Sequence, residues 1–291
     1  MSGGAPQPLI GSVEAPIGGA TGVLTYREWP GDGAPILFLH GLASSASTWN
    51  LVAPLLAGRH RVVALNQRGH GGSHAPDDGY DFDSVVGDAW AVCRALGVER
   101  PLVVGQSWGG NVALHMVATA PPDATRGLVM VDGGFIEPSR RSTWEEAAVR
   151  MRPPNTDIPI DAFRARIRDR LGPRWAPAWE SAILANFWVD ESGILRRHLS
   201  IENHMKIAFH LFHHRPSELF PVVACRALFA VALGSADAPS DPRRVEAVRE
   251  IVGEALAALG SRGQAVWMND TIHDIQLQRP IELAYLIATL A

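Results

Sequence analysis

The chain has 291 residues, 47% of them hydrophobic and 19% charged, with a formal net charge of −4. That is enough apolar material for one large domain, or for a core with an insertion, and it excludes a disordered chain. No basic stripe marks a nucleic-acid surface, and no run of about 18 apolar residues marks a membrane span.

In chain order, Met1 to Gly22 is rich in Gly, Pro and Ala. It lacks the basic start and apolar run of a signal peptide, so it reads as a tail and the chain as cytoplasmic. Val23 to Trp29 reads as a short strand. Pro35-Ile-Leu-Phe-Leu-His40 is a near-continuous apolar run ending at Gly41, the pattern of a strand buried on both faces of a parallel sheet. A short helix is predicted over Thr48 to Ala57. A strand, Arg61 to Leu65, then leads into the loop Asn66-Gln-Arg-Gly-His-Gly-Gly-Ser73.

Phe82 to Leu96 carries helical spacing at Val85, Ala89, Val92 and Leu96. Pro101 to Val104 reads as a strand, Asn111 to Ala120 as a helix and Leu128 to Val131 as a strand ending in Asp132-Gly-Gly. Strand and helix alternate, which predicts a doubly wound, mostly parallel α/β sheet over residues 1–134. From 135 to 220 the character changes. Prolines interrupt the stretch, helical patches stand near 161–171, 177–187 and 200–214, and no strong buried strand is visible, so this is read as a helical insertion. The alternation resumes over 221–291. Ala227 to Leu233 and Ala265 to Met268 are its strands, and Pro242 to Leu259 and Pro280 to Leu290 its helices, the last with proline in its first turn. Cys93 and Cys225 sit in apolar stretches without a C-x-x-C pattern and read as two buried thiols.

The chemistry is concentrated in Gly105-Gln-Ser107-Trp-Gly109, a G-x-S-x-G motif between a buried strand and a helix. A serine on such a turn stands at a helix N-terminus, where developing negative charge is favoured, and the flanking glycines let strand and helix approach. Serine needs a base within hydrogen-bond reach. His273, after the last strand and a short loop, is the candidate, and the order serine then histidine suits a strand–turn–helix nucleophile. The backbone N–H groups of Leu42 and Trp108 are the candidate oxyanion hole. His40, Trp108 and Trp188 are the candidate substrate contacts, with a structural reading of His40 beside that one.

These segments carry a resemblance. His40-Gly-Leu-Ala-Ser-Ser, the loop 66–73, Gly105-Gln-Ser-Trp-Gly-Gly110 and His273-Asp-Ile-Gln-Leu-Gln-Arg-Pro280 resemble the α/β-hydrolase superfamily from about residue 22 to the end. Asn66 departs from the Asp common in the second segment, at a position read as bracing the loop. The resemblance implies a cap domain over the active site, matching 135–220. It also implies a triad acid, for which two aspartates compete. Asp237 follows the strand 227–233, where the superfamily usually places the acid. Asp132 ends the preceding core strand, where some members place it. Epoxide hydrolases and haloalkane dehalogenases of this fold also carry Trp after the nucleophile, but use Asp where this chain has Ser107.

The 135–220 stretch holds Trp144, Trp175, Trp179 and Trp188 with Phe163, Phe187, Phe209 and Phe212, which predicts an aromatic-lined pocket or, alternatively, packing of cap on core. His210, His213 and His214 lie at helical spacing, but no Cys or Glu completes a zinc set, so no metal is expected. Gly69-His-Gly-Gly72 lacks a phosphate-loop pattern, and no cofactor is expected. The resulting expectation is a serine hydrolase cleaving a carboxylic ester, lactone or related acyl bond of a small, largely apolar molecule, without nucleic-acid or membrane partners. Carbon–carbon bond hydrolysis or cleavage by a lyase on the same triad is an alternative. A slow-turnover small-molecule receptor is another.

Overall fold

In the computed structural model, which describes residues 6–154, 156–235 and 238–291, the apolar runs pair into one eight-stranded sheet. The strands are β1 (Leu9–Ile17), β2 (Ala20–Trp29), β3 (Ile36–Leu39), β4 (Val62–Leu65), β5 (Leu102–Gln106), β6 (Gly127–Val131), a hairpin of β7 (Phe187–Val189) and β8 (Leu195–Arg197), β9 (Arg226–Ala232), a ribbon of β10 (Gly234–Ser235) and β11 (Ala238–Pro239), and β12 (Gly263–Met268). The helices are α1 (Ala53–Leu56), α2 (Phe82–Leu96), α3 (Trp108–Thr119), α4 (Trp144–Met151), α5 (Ile160–Leu171), α6 (Pro177–Leu184), α7 (Ile201–His213), α8 (Pro216–Leu219), α9 (Pro242–Leu259), α10 (Ile275–Gln278) and α11 (Pro280–Ala288).

The sheet order is β1-β2-β4-β3-β5-β6-β9-β12. β1 and β2 join antiparallel to each other, β2 joins β4 antiparallel, and every pairing from β4 to β12 is parallel. Strands β3 to β6 are buried along their whole length, as their unbroken apolar sequences require. Val85 of α2, Val112 of α3 and Val252 of α9 pack one face, and Ala53 of α1 with Leu283 and Ile287 of α11 pack the other. Both faces are therefore covered, and the winding is the doubly wound, mostly parallel one expected. β4 and β5 flank β3 on opposite sides, so the winding direction reverses at β3. Ligand crevices in open α/β sheets form outside the carboxyl ends of strands at such a reversal.

Two features differ from the sequence expectation. Residues 9–17, read as tail, form β1. Val13, Ala15 and Ile17 alternate inward against β2, and Gly18 and Gly19 both take positive φ in the two-residue turn. The glycine and proline content that suggested a tail belongs in part to that turn. The second difference lies between β6 and β9, neighbours in the sheet, where the chain runs through α4 to α8. The helical patches appear as α5, α6 and α7, but the patch expected to reach 187 ends at Leu184, and Phe187 opens the β7–β8 hairpin. Helix α4, set by a Thr143–Glu146 capping box, had no strong apolar stripe to announce it. Cys93 and Cys225 are free thiols, the first buried and the second half-buried. Among the described residues, no helix is long and apolar enough to cross a membrane.

Candidate active site

Ser107 follows β5 directly and opens α3. Its backbone sits at φ 53°, ψ −124°, a conformation that L-residues adopt at a cost. Strand and helix close on it from both sides. A Cβ on Gly105 would lie 2.0 Å from the Gly109 carbonyl oxygen, and one on Gly109 would lie 2.4 Å from the carbonyl oxygens of Leu39 and His40. Only glycine permits that approach, which is the physical content of the motif. The Ser107 N–H donates to the Val131 carbonyl at 3.0 Å, tying the turn to β6. The serine side chain caps no helix N–H and is partly exposed.

Asp132 ends β6 with φ 40°, a second strained non-glycine position at a strand end. Its carboxylate is fully buried, and Oδ2 accepts from His273 Nδ1 at 2.6 Å. Oδ1 accepts from the Ala232 N–H at 3.1 Å. Arg244 of α9 also donates to Oδ2, at 2.9 Å through Nη2. Burial alone would raise the Asp132 pKa. The hydrogen bond and charge of His273, the Arg244 guanidinium and the Ala232 N–H outweigh it and hold the carboxyl below its ordinary range. For His273, desolvation favours the neutral ring. The hydrogen bond to Asp132 and the negative charges of Asp132 and Asp274 overcome it, so the pKa is held above 6.5, with Arg244 opposing. Of the two aspartates offered for this position, Asp132 therefore meets His273. Asp237 lies outside the described residues.

The second imidazole nitrogen faces an unexpected neighbour. His273 Nε2 stands 3.2 Å from Gln106 Nε2, and the same amide donates to the His273 carbonyl at 3.4 Å. With Nδ1–H donated to Asp132, Nε2 is left as an acceptor, which suits an amide N–H. No hydrogen bond joins Ser107 Oγ to His273 among the described residues. Catalytic hydrogen bonds are often long or misaligned without substrate. Gln106 was legible only as the variable residue before the serine. Arg244 carried no local signal, because its partner lies 112 residues away.

The loop after β3 is held by two neutral histidines. His40 is fully buried, with Nδ1 against the Gly41 carbonyl at 2.8 Å and Nε2 accepting from the Gln67 N–H at 3.1 Å. Burial pushes its pKa down to about 4, against the opposing Gly41 hydrogen bond. Both nitrogens are committed to backbone, so His40 braces the loop and does not face a ligand. That corrects its place among the substrate contacts. His70 Nε2 accepts from the Ala43 N–H at 3.2 Å, and its ring stacks on Trp108 at 5.6 Å. Among the described residues the N–H groups of Leu42 and Trp108 have no hydrogen-bond acceptor. Asn66 braces the same region, accepting from the Ala46 N–H at 2.7 Å and donating to Thr25 at 2.9 Å.

A cavity of about 670 Å³ opens on His273 and Asp132. It differs from the aromatic-lined pocket expected. Its lining holds one aromatic, Phe135, with Ile136, Val248, Ile251 and Ile272, together with Glu137 and the guanidiniums of Arg141, Arg150 and Arg244. Ser107 is not part of that lining. Trp108 is 1% exposed and packed in the core, Trp188 is 48% exposed on β7, and neither is among the cavity's lining residues. The other aromatics of 135–220 pack on one another, as with Trp144 against Phe209 and Phe212, and Phe163 against Phe187. His214 stacks on Phe82 and contacts Asn111 and His115. Among the described residues no cluster of three or more His, Cys, Asp or Glu could hold a metal ion.

Comparison with known proteins gives this geometry a context. The family model described as the alpha/beta hydrolase fold matches residues 34–175. A non-heme chloroperoxidase of Streptomyces lividans is 37% identical over 108 residues, covering 36% of this chain and 39% of that protein. A fluoroacetate dehalogenase of Burkholderia sp is 38% identical over 107 residues, covering 35% of each chain. The matched stretch thus spans less than two fifths of these relatives' lengths. The crystal structure of E-2-(acetamidomethylene)succinate hydrolase superposes with a TM-score of 0.75 at 20% identity, covering 97% of this chain and 99% of that one. At that identity the likeness is one of fold.

Proposed function

We propose that this chain, a member of the α/β-hydrolase superfamily, is a serine hydrolase that cleaves a carboxylic ester, lactone or related acyl bond of a small molecule. The observation that carries the reading is the 2.6 Å contact of Asp132 with His273, at a site whose neighbouring strand ends in a strained, uncapped serine. Ser107 Oγ attacks the acyl carbonyl carbon and passes its proton to His273 Nε2. Asp132 holds the imidazole by Nδ1 and stabilises the imidazolium. The N–H groups of Leu42 and Trp108, both without an acceptor among the described residues, receive the oxyanion. His273 then protonates the leaving group, and water, deprotonated by the same ring, releases the acyl group from Ser107. For this sequence Gln106 must yield Nε2 to the serine hydroxyl, and substrate binding would drive that exchange.

The dehalogenases of this fold use Asp where Ser107 stands, so the residue itself favours acyl transfer over carbon–halogen cleavage. Residues 135–220 are assigned as a cap over the site, between 1–134 and 221–291 of the core. The two free thiols accord with a reducing, cytoplasmic setting. One observation favours a slower second reading, a small-molecule receptor: the base contacts Gln106 and not Ser107. Pre-steady-state hydrolysis of para-nitrophenyl esters separates the two. A burst followed by steady turnover, absent in Ser107→Ala, is the expected result. A single slow release with no second turnover would favour the receptor.

A further inference from the structure

We propose that the substrate carries a carboxylate, or an equivalent anionic group, received by Arg150 and Arg141 in the cavity beside His273. The scissile-bond chemistry rests on the serine-hydrolase reading above. The anion site itself does not. The argument begins with charge balance along the cavity wall, where three arginines and two carboxylates meet. Arg244 is committed to Asp132 at 2.9 Å, and Glu137 is engaged by Arg140 at 3.4 Å and Ser217 at 3.3 Å. Arg141 pairs with Glu250 through one nitrogen, Nη2, at an exposed position. Arg150, in the last turn of α4, has no hydrogen-bond or ion-pair partner among the described residues. The wall therefore offers one uncommitted guanidinium and a second with spare donors.

Two further observations make this a ligand surface. Both arginines share the cavity with His273, so an anion held there lies in the same volume as the Asp132–His273 pair. The wall also includes Phe135, Ile136, Val248, Ile251 and Ile272, an apolar surface for a short hydrocarbon chain. Its volume of about 670 Å³ suits the anionic end of a small molecule whose scissile acyl end reaches past His273 to Ser107, outside the lining. A guanidinium presents a planar fork that matches a carboxylate in two bonds, which a neutral ester end cannot exploit.

The test measures binding first, so that it does not depend on turnover. Calorimetry on Ser107→Ala compares glutarate with its dimethyl ester. The expected result is tighter binding of glutarate, weakened about tenfold by Arg150→Gln, as for loss of one charge-assisted hydrogen bond, and weakened again by salt. Arg150→Lys, which keeps the charge but not the fork, should fall between the two. Glutarate binding no better than the diester, or no loss in Arg150→Gln, would overturn the proposal and leave Arg150 a solvated surface charge. Arg150 is exposed, so its replacement does not endanger the fold.

A rate arm separates this proposal from the reading it deepens. In otherwise wild-type protein, kcat/KM for para-nitrophenyl hydrogen glutarate is compared with that for para-nitrophenyl methyl glutarate. The anion site predicts a preference for the first that Arg150→Gln reduces about tenfold. Equal rates in both proteins would count against it. Glutarate binding intact with neither ester turned over would support the anion site and contradict the serine hydrolase.

Discussion

Strands β3 to β6 and the stretch between β6 and β9 place their apolar residues differently. In the strands every residue is buried, and the ends of β5 and β6 carry Ser107 and Asp132 in strained conformations that surrounding backbone enforces. In the stretch 135–220, Val149 is 79% exposed, Trp188 48% and Phe209 42%, and aromatics pack mainly on one another. Parallel strands fix reacting groups because their backbone has one way to pair. Short helices joined by prolines fix a wall whose chemistry depends on which side chains happen to face it. The proposed nucleophile and acid thus stand on the first region, and the second contributes Arg141 and Arg150 to the proposed anion site.

The comparison can be broken in order of effect. Asp132→Asn preserves shape but removes the charge that selects the Nδ1–H tautomer of His273, so kcat/KM should fall about 10⁴-fold with the fold retained by circular dichroism. A loss below about tenfold would mean that another acid serves the base. Next in size is packing. Leu39→Ala, at a fully buried position, should destabilise by about 3 kcal/mol in urea titration, whereas Val149→Ala should stay within about 0.5 kcal/mol. Similar costs at the two sites would erase the distinction drawn between the regions.

How much of this was legible follows the same division. The unbroken apolar runs at 36–39, 62–65, 102–106 and 127–131 announced the parallel strands, and G-x-S-x-G between strand and helix announced the turn at Ser107. Local pattern sufficed because each feature is made by neighbours in sequence. Of the two readings of His40, the structural one fits the structure, and local pattern could not choose it because the ring's partner Gln67 comes from another strand end. The choice between Asp132 and Asp237 could not be made from spacing, since both follow core strands. The cavity was predicted from counting tryptophans, and the count says nothing of direction. Its arginines come from 141, 150 and 244, which share no motif and meet only because α9 packs beside the end of β6.

A smaller effect sharpens the electrostatics. Acyl transfer needs His273 neutral, and its pKa is held above 6.5 by Asp132 and Asp274 against desolvation and Arg244. Activity should therefore rise with pH through an inflection above 6.5 and be lost as pH falls below it. Arg244→Gln removes the opposing positive charge, so the inflection should move further upward. A downward move would mean that Arg244 acts chiefly by holding Asp132 in place.

The central claim is that Ser107 is an activated nucleophile, and labelling with a fluorophosphonate probe tests it most directly. The wild type should be labelled, the modified peptide should contain Ser107, and Ser107→Ala should show no labelling. A folded wild type that resists a small probe, or a label mapped to another residue, would contradict the account.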